Sequence, residues 1–326
     1  MNQPLMLPDI LKLLKGAEGY ISGEKISTEL GLTRAAVWKK IETLRKKGFL
    51  IEAVPSQGYR LIQAPDLSVE EILSEVRGDF WKEVFFYKTI DSTNELAAEL
   101  SVKKNPASGT VVIADMQERG KGRLGRRWLS PPGLNIYMSV ILKPEIEPRD
   151  ATLLTILSAV ACAVAVRGES GLQALIKWPN DLMVSGKKIG GILTEVKTDP
   201  DRINAAIIGI GINVNSEAPD FPEEIRTLAT SLKGETGKHH SRSRIIVRVL
   251  REIEFWFRLL KRDGRIPLLR EWKRLSSTLG KEVMVTTGNE TISGTAEDID
   301  DEGMLIMRLP SGAKKRISAG DLTVLR

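Results

Sequence analysis

Hydrophobic positions along the chain follow three successive regimes. In residues 1–64 they recur at helical spacing three times and then at strand spacing twice. A first amphipathic helix begins at 10–14. A second, short one covers 22–30 and is closed by Gly31. Thr33 stands at an N-cap position before a third, 34–47, which ends at Gly48. Ala36, Val37, Ile41 and Leu44 share one face of that third helix. Stretches 49–54 and 59–62 read as strands joined at Pro-Ser-Gln-Gly. From 65 to 270 strands and helices alternate: a helix at 69–76, a strand at 84–87, a helix at 94–100, and strands at 111–114 and 135–142. The apolar run 151–166, broken by Thr and Ser, is too short for a membrane span and reads as a buried helix. Then come a buried strand marked by Ile176 and Trp178, a hairpin over 183–189 turned at Ser185-Gly186, and strands at 190–195 and 206–215. A helical pattern covers 242–274, with Ile245, Val249, Ile253 and Trp256 on one face. From Lys281 onward short strands divided by glycines predict a small all-β barrel of the SH3 kind.

The pattern predicts an α+β protein of three parts, 1–64, 65–270 and 271–326. A chain of 326 residues is long enough for that. Helix, helix, glycine turn, helix and hairpin is the plan of a winged helix-turn-helix. Charge sharpens this reading. Residues 1–63 hold ten Lys/Arg against six Asp/Glu, within a net charge of +6 for the whole chain. Arg34, Lys39, Lys40, Arg45 and Lys46 lie on the third helix, which would enter the major groove. Its alternatives are a solvated basic face or a protein-binding winged helix. Eleven cations within 242–274 pose the same question, a second nucleic-acid surface or the wet side of a core helix. A single cysteine, Cys162, lies in the buried run, which excludes an internal disulfide and points to an inert core thiol. With no leader pattern the expected location is cytoplasmic, with no membrane partner.

Candidate chemistry concentrates in residues 117–128, which carry three glycines and five cations, Arg119, Lys121, Arg123, Arg126 and Arg127. Such a loop suits an anion clamp, the alternative being a solvated basic loop. Gly120, Gly122 and Gly125 also spell a dinucleotide fingerprint, but that requires a helix to start at the glycines. Here Pro131 and Pro132 follow, and the fingerprint fails on context. The only histidines, His239 and His240, are adjacent, which leaves no Ser-His-Asp or Cys-His pair and no His/Cys metal cluster. Ser92, Thr93 and Asn94 present polar groups at a strand end, or else Asp91 or Ser92 caps the helix that follows. Lys177, between Ile176 and Trp178, either has an anionic partner or snorkels from a sheet edge.

Taken together, Asp91-Ser-Thr-Asn94, Gly120-Lys-Gly-Arg-Leu-Gly125 with Arg126-Arg127-Trp128, Lys177-Trp-Pro-Asn-Asp-Leu182, Gly190-Gly-Ile-Leu193 and Gly209-Ile-Gly-Ile-Asn213 resemble the bifunctional biotin protein ligases that also act as biotin operon repressors. The resemblance covers essentially the whole chain. It implies a central class II synthetase-like mixed α/β catalytic domain between the winged helix and the C-terminal barrel. It implies biotin and ATP as substrates, with Mg2+, and a biotin carboxyl carrier protein, operator DNA and an adenylate-bound homodimer as partners. By match to the family's motifs, Ser92, Thr93, Asn94, Gln117, Lys121, Gly122, Arg123 and Lys177 would hold biotin. Gly120, Lys121, Arg123, Arg126, Trp128, Asn180 and Asn213 would hold ATP and the adenylate. Lys177 and Arg123 would carry the catalysis, and no residue is assigned as a metal ligand. Lys121 departs from the family's usual arginine, keeping the charge but not the bidentate fork. The runners-up are a lipoate ligase and a ligand-sensing repressor with little ligase activity.

Overall fold

The computed structural model describes residues 6–103, 106–288 and 290–325. They form two compact units. The first runs to Asp79 and includes Ser241–Val247. It contains α1 (Met6–Gly16), α2 (Gly23–Leu30), α3 (Arg34–Lys46), β1 (Leu50–Val54), β2 (Gly58–Gln63) and α4 (Val69–Val76). Thr33 is the N-cap expected of it, accepting from Ala36 N at 3.2 Å, while Ser22, read as the first helical residue, is the N-cap of α2 and accepts from Lys25 N at 3.1 Å. Ile10, Leu11, Ile26, Val37, Ile41 and Leu44 close its core, with Phe49 and Ile51 from the wing hairpin. Beyond Pro65 the unit continues through α4, whose Glu70 and Glu75 pair with Lys47 at 2.7 Å and Lys15 at 3.0 Å. Arg242 is tied to Asp66 through its backbone N–H and its guanidinium.

The second unit covers Phe80–His240 and the chain from Arg248. Its centre is a seven-stranded sheet of order β3-β4-β5-β9-β8-β7-β6. The strands are β3 (Glu83–Ile90), β4 (Thr110–Gln117), β5 (Ile136–Leu142), β6 (Leu175–Lys177), β7 (Asp181–Val184), β8 (Lys187–Thr198) and β9 (Ile203–Ile212). Only β3 and β4 run parallel, joined by α5 (Thr93–Lys103) as the crossover; the other pairs are antiparallel. The apolar run becomes α6 (Ala151–Ser170), which would cross a membrane by length and composition, yet 67% of its apolar window is buried inside the protein. It is a core helix.

After the short α7 (Leu232–Thr236), the 242–274 pattern resolves into two helices rather than one, α8 (Arg242–Asp263) and α9 (Ile266–Leu275). The break falls at Gly264, with Pro267 in the first turn of α9, where its missing N–H costs nothing. The C-terminal strands β10 (Glu282–Thr287), β11 (Glu290–Ile299), β12 (Leu305–Arg308), β13 (Lys314–Ile317) and β14 (Asp321–Val324) form an antiparallel sheet of order β13-β12-β11-β10-β14. It is fastened to the larger sheet through Trp178, whose backbone N–H donates to Thr278 Oγ1 at 3.0 Å and whose indole reaches Gly303 O at 3.3 Å.

Candidate active site

The ends of β3 and β4 bring the first two polar stretches together. Ser92, Thr93 and Asn94 are buried at the head of α5. Thr93 donates from its N–H (2.9 Å) and its hydroxyl (3.1 Å) to Gln117 Oε1, and Gln117 Nε2 donates to Ser130 Oγ at 2.9 Å. The leading N–H of the helix is therefore satisfied by Gln117, not by the side chain of Asp91 or Ser92. Asp91 is drawn instead to Arg119, which holds its carboxyl below the usual carboxylate range. Asn94 donates to Glu195 at 2.8 Å and lies 2.6 Å from Ser139 Oγ. It fits only because residue 209 is glycine: a Cβ there would stand 2.2 Å from Asn94 Oδ1. Asn94 and Gln117 thus brace the head of α5 against β4, β5 and β8. Ser92 Oγ makes no side-chain hydrogen bond among the described residues.

The glycine-arginine loop leaves β4 as a narrow excursion. Arg119 N donates to Asp91 O at 2.9 Å, Gly122 N to Arg126 O at 2.6 Å, and Trp128 N to Gly120 O at 2.8 Å. No α-helix follows the glycines, only one 3-10 turn at Arg123–Gly125, with Leu124 at φ 55°. All five cations have protein partners. Lys121 pairs with Glu95 at 2.8 Å, which raises its pKa. Arg123 donates to Asn180 Oδ1 at 2.9 Å; Arg126 pairs with Asp321 of β14, and Arg127 donates to Glu118 O at 2.8 Å. Arg123 is the loop cation that burial affects most: desolvation lowers its pKa, and Asp321 and Asp181 oppose that.

Past the loop, Trp128 lies flat against β9. A Cβ at Gly211 would stand 2.5 Å from Trp128 Cε2, and one at Gly191 would stand 3.5 Å from Cζ3. The indole N–H is buried and has no hydrogen-bond partner. The same holds for the indole N–H groups of Trp81, Trp256 and Trp272, so in this chain it is not peculiar to the site. Lys188 Nζ sits 5.5 Å from the ring centroid.

Lys177 is half-buried on the edge strand β6, with Asp181 as its anionic partner at 3.6 Å. Both sequence alternatives hold at once, an edge position and an acid. The same carboxylate binds Lys188 more closely, at 2.6 Å. Sequence reasoning passed over Lys188 as a hairpin residue; the signal that could have found it is Asp181, an acid shared by two lysines on adjoining strands. Ser139 was also missed, being one residue in an otherwise apolar strand. Asn180 links loop to sheet, accepting from Arg123 and donating to Ile192 O at 2.6 Å. Asn213 donates to Thr230 O at 3.0 Å and fixes the segment below the site.

In the first unit Lys39 and Lys46 face solvent on α3, and Arg34 makes an exposed pair with Glu24. Arg45 is turned inward, donating twice to Ile51 O (3.0 and 2.7 Å) and once to Glu42, so it fastens α3 to the wing. Among the described residues no group of three or more His, Cys, Asp or Glu could hold a metal.

Comparison with known proteins assigns a family to each of the three stretches of the chain. A model of the biotin/lipoate A/B protein ligase family matches residues 86–213, a helix-turn-helix domain model matches 7–60, and a model of the biotin protein ligase C-terminal domain matches 278–322. The chain is 41% identical over 317 residues to the bifunctional ligase/repressor BirA of Bacillus subtilis, covering 95% of this chain and 96% of that one. The Escherichia coli counterpart is 30% identical over 91% of each chain. Among solved structures, the biotin protein ligase from Aquifex aeolicus in complex with biotin and ATP superposes with a TM-score of 0.65 at 30% identity, covering 76% of this chain and all of that one.

Proposed function

The chain belongs to the family of bifunctional biotin protein ligases and repressors, and on that premise we propose how its own residues divide the work. It is an ATP-dependent biotin protein ligase. A carboxylate oxygen of biotin bonds to the α-phosphorus of ATP, the bond from that phosphorus to pyrophosphate breaks, and biotinyl-5′-AMP results. The amine of a carrier-protein lysine then bonds to the anhydride carbonyl and AMP leaves. Both steps place negative charge around one centre, so positioned cations and exclusion of water carry the catalysis, without a histidine base.

Ser92 supplies the open hydroxyl toward biotin, and Thr93, Asn94 and Gln117 hold the wall behind it. The backbone of Gly120 and Gly122 lets the loop approach closely. Arg123, aimed by Asn180, clamps the carboxylate and then the adenylate phosphate. Lys121 joins it when a phosphate displaces Glu95, since exposed pairs of this kind contribute under about 1 kcal/mol. Lys188, beside the Trp128 ring, neutralises the reacting oxygens, and Lys177 supports it through their shared Asp181. Trp128 packs on the adenylate side. Arg126 and Asn213 shape the same end of the site. Mg2+ would be held largely by the phosphates of ATP, with Asp181 as a carboxylate within the cation cluster, and would screen the phosphate charge.

The winged helix binds DNA, with Arg34, Lys39, Lys40 and Lys46 toward the phosphates and Arg45 setting the angle of α3. Two copies, brought together when adenylate is bound, would span a two-fold operator. The observation that carries this reading is the convergence of Arg123, Lys188 and Lys177 around Asn180 and Asp181. Sedimentation and DNA binding, measured with and without biotin plus MgATP, test it. Adenylate-dependent dimers with tighter DNA binding are expected; a size and affinity indifferent to both substrates would refute the coupling.

A further inference from the structure

Trp38 occupies the second turn of α3, and 54% of it is exposed. Val37, Ile41 and Leu44 close the core of the unit without it. Among the described residues no ring and no cation packs against its indole. Single exposed apolar side chains are common, but an indole is the largest of them, and here it stands on the helix that a winged helix-turn-helix lays against its partner.

The surroundings state which partner. Ala35, also exposed, extends the apolar spot, while Arg34 precedes it and Lys39 adjoins it. The cores of protein interfaces are depleted of lysine, and an apolar knob rimmed by cations fits a polyanion better. The N-terminal turns of a recognition helix are the part that meets base edges, and in the major groove the apolar feature is the 5-methyl group of thymine. Resting on the DNA-binding reading above, we infer that Trp38 is a sequence-reading residue. Its indole packs on a thymine methyl in each half-site while Arg34 and Lys39 hold the flanking phosphates. Phosphate contacts set position; Trp38 sets part of the sequence preference.

The full chain, supplied with biotin and MgATP, is used to select duplexes from a randomised pool, and thymines in the selected site are then replaced singly by deoxyuridine. For the unmodified chain, one such replacement weakens binding about fourfold, the worth of burying one methyl group. Trp38→Ala weakens the selected duplex roughly tenfold, the scale of one mismatched base pair, and becomes indifferent to that deoxyuridine. Its binding to random duplex and its ligase rate stay unchanged, which shows the fold intact, and Trp38→Phe keeps most of the preference. Unaltered preference in Trp38→Ala, or unaltered sensitivity to deoxyuridine, overturns the inference while leaving the DNA-binding reading in place. An equal loss on selected and random duplexes with a changed oligomeric size overturns it in favour of a protein contact. Failure of the unmodified chain to bind duplex at all removes the DNA-binding reading itself.

Discussion

Substituting Gly211 with alanine tests the geometry of the site through one methyl group. Gly211 lies in the regular strand β9, paired with Tyr137 and Gly191, so the backbone accepts alanine and the cost falls on contacts. The new Cβ would stand 2.5 Å from Trp128 Cε2, 2.6 Å from Nε1 and 2.8 Å from Cζ2. Carbon contacts are comfortable near about 3.5–4.0 Å, so the indole must withdraw by roughly 1 Å. Lys188, whose ammonium is 5.5 Å from the ring centroid and 2.6 Å from Asp181, must move with it. Overpacking of this kind costs about 1–3 kcal/mol. A 1 Å misplacement at a reacting centre lowers rates by up to about 100-fold. Gly211→Ala should therefore lose about 10- to 100-fold in kcat/KM for biotin-dependent pyrophosphate exchange, with a stability loss of about 1–3 kcal/mol. A double-mutant cycle isolates the contact. In a Trp128→Ala background, which has its own defect, the alanine at 211 meets no ring and should add less than about 0.5 kcal/mol to either quantity. Additive effects across the cycle, or an unimpaired Gly211→Ala, would refute the placement of Trp128 over β9.

The other predictions concern separate parts of the chain. Lys188→Ala should lose about 100-fold or more in adenylation, the scale of one preorganised stabiliser, and Lys177→Ala distinctly less; the reverse order in the exchange assay would return the central role to Lys177. Arg123→Gly should release adenylate and label bystander proteins, seen by streptavidin blot, whereas retention as tight as before would show that Arg123 is not the clamp. Operator affinity should fall by about 0.9 log units per log unit of salt for each phosphate contacted, and salt-insensitive binding would favour a protein-binding winged helix. Cys162 is fully buried, and burial pushes its thiol well above the ordinary range. It should resist thiol reagents in the native protein and react on unfolding; rapid native labelling would contradict a core position.

What the sequence disclosed and what it concealed follow from the range of the interactions involved. Local chemistry was legible: Gly31 closes α2, Thr33 caps α3, the 151–166 run is a core helix, and proline after the loop excludes a dinucleotide fold. Long-range partners were not. The head of α5 is satisfied by Gln117 rather than by its neighbours Asp91 or Ser92, because the parallel pairing of β3 and β4 sets the two loop starts side by side. Arg45 belongs to the basic helix by sequence, yet the wing supplies a carbonyl that draws it inward. Lys188 lies within the hairpin 183–189, and nothing adjacent to it in sequence marks it out. Its ion pair depends on Asp181 lying across the β7–β8 pairing. Pro65 reads as a boundary, while the compact unit continues to Asp79 because α4 presents Glu70 and Glu75 to cations on α1 and after α3.

The most direct test of the account is transfer of radiolabelled biotin to a purified biotin carboxyl carrier domain, with ATP and Mg2+, by the unmodified chain. ATP-dependent label is expected on the carrier lysine with stoichiometric AMP, absent when that lysine is replaced and not reproduced with lipoate. Unlabelled carrier, or equal transfer of lipoate, would contradict it.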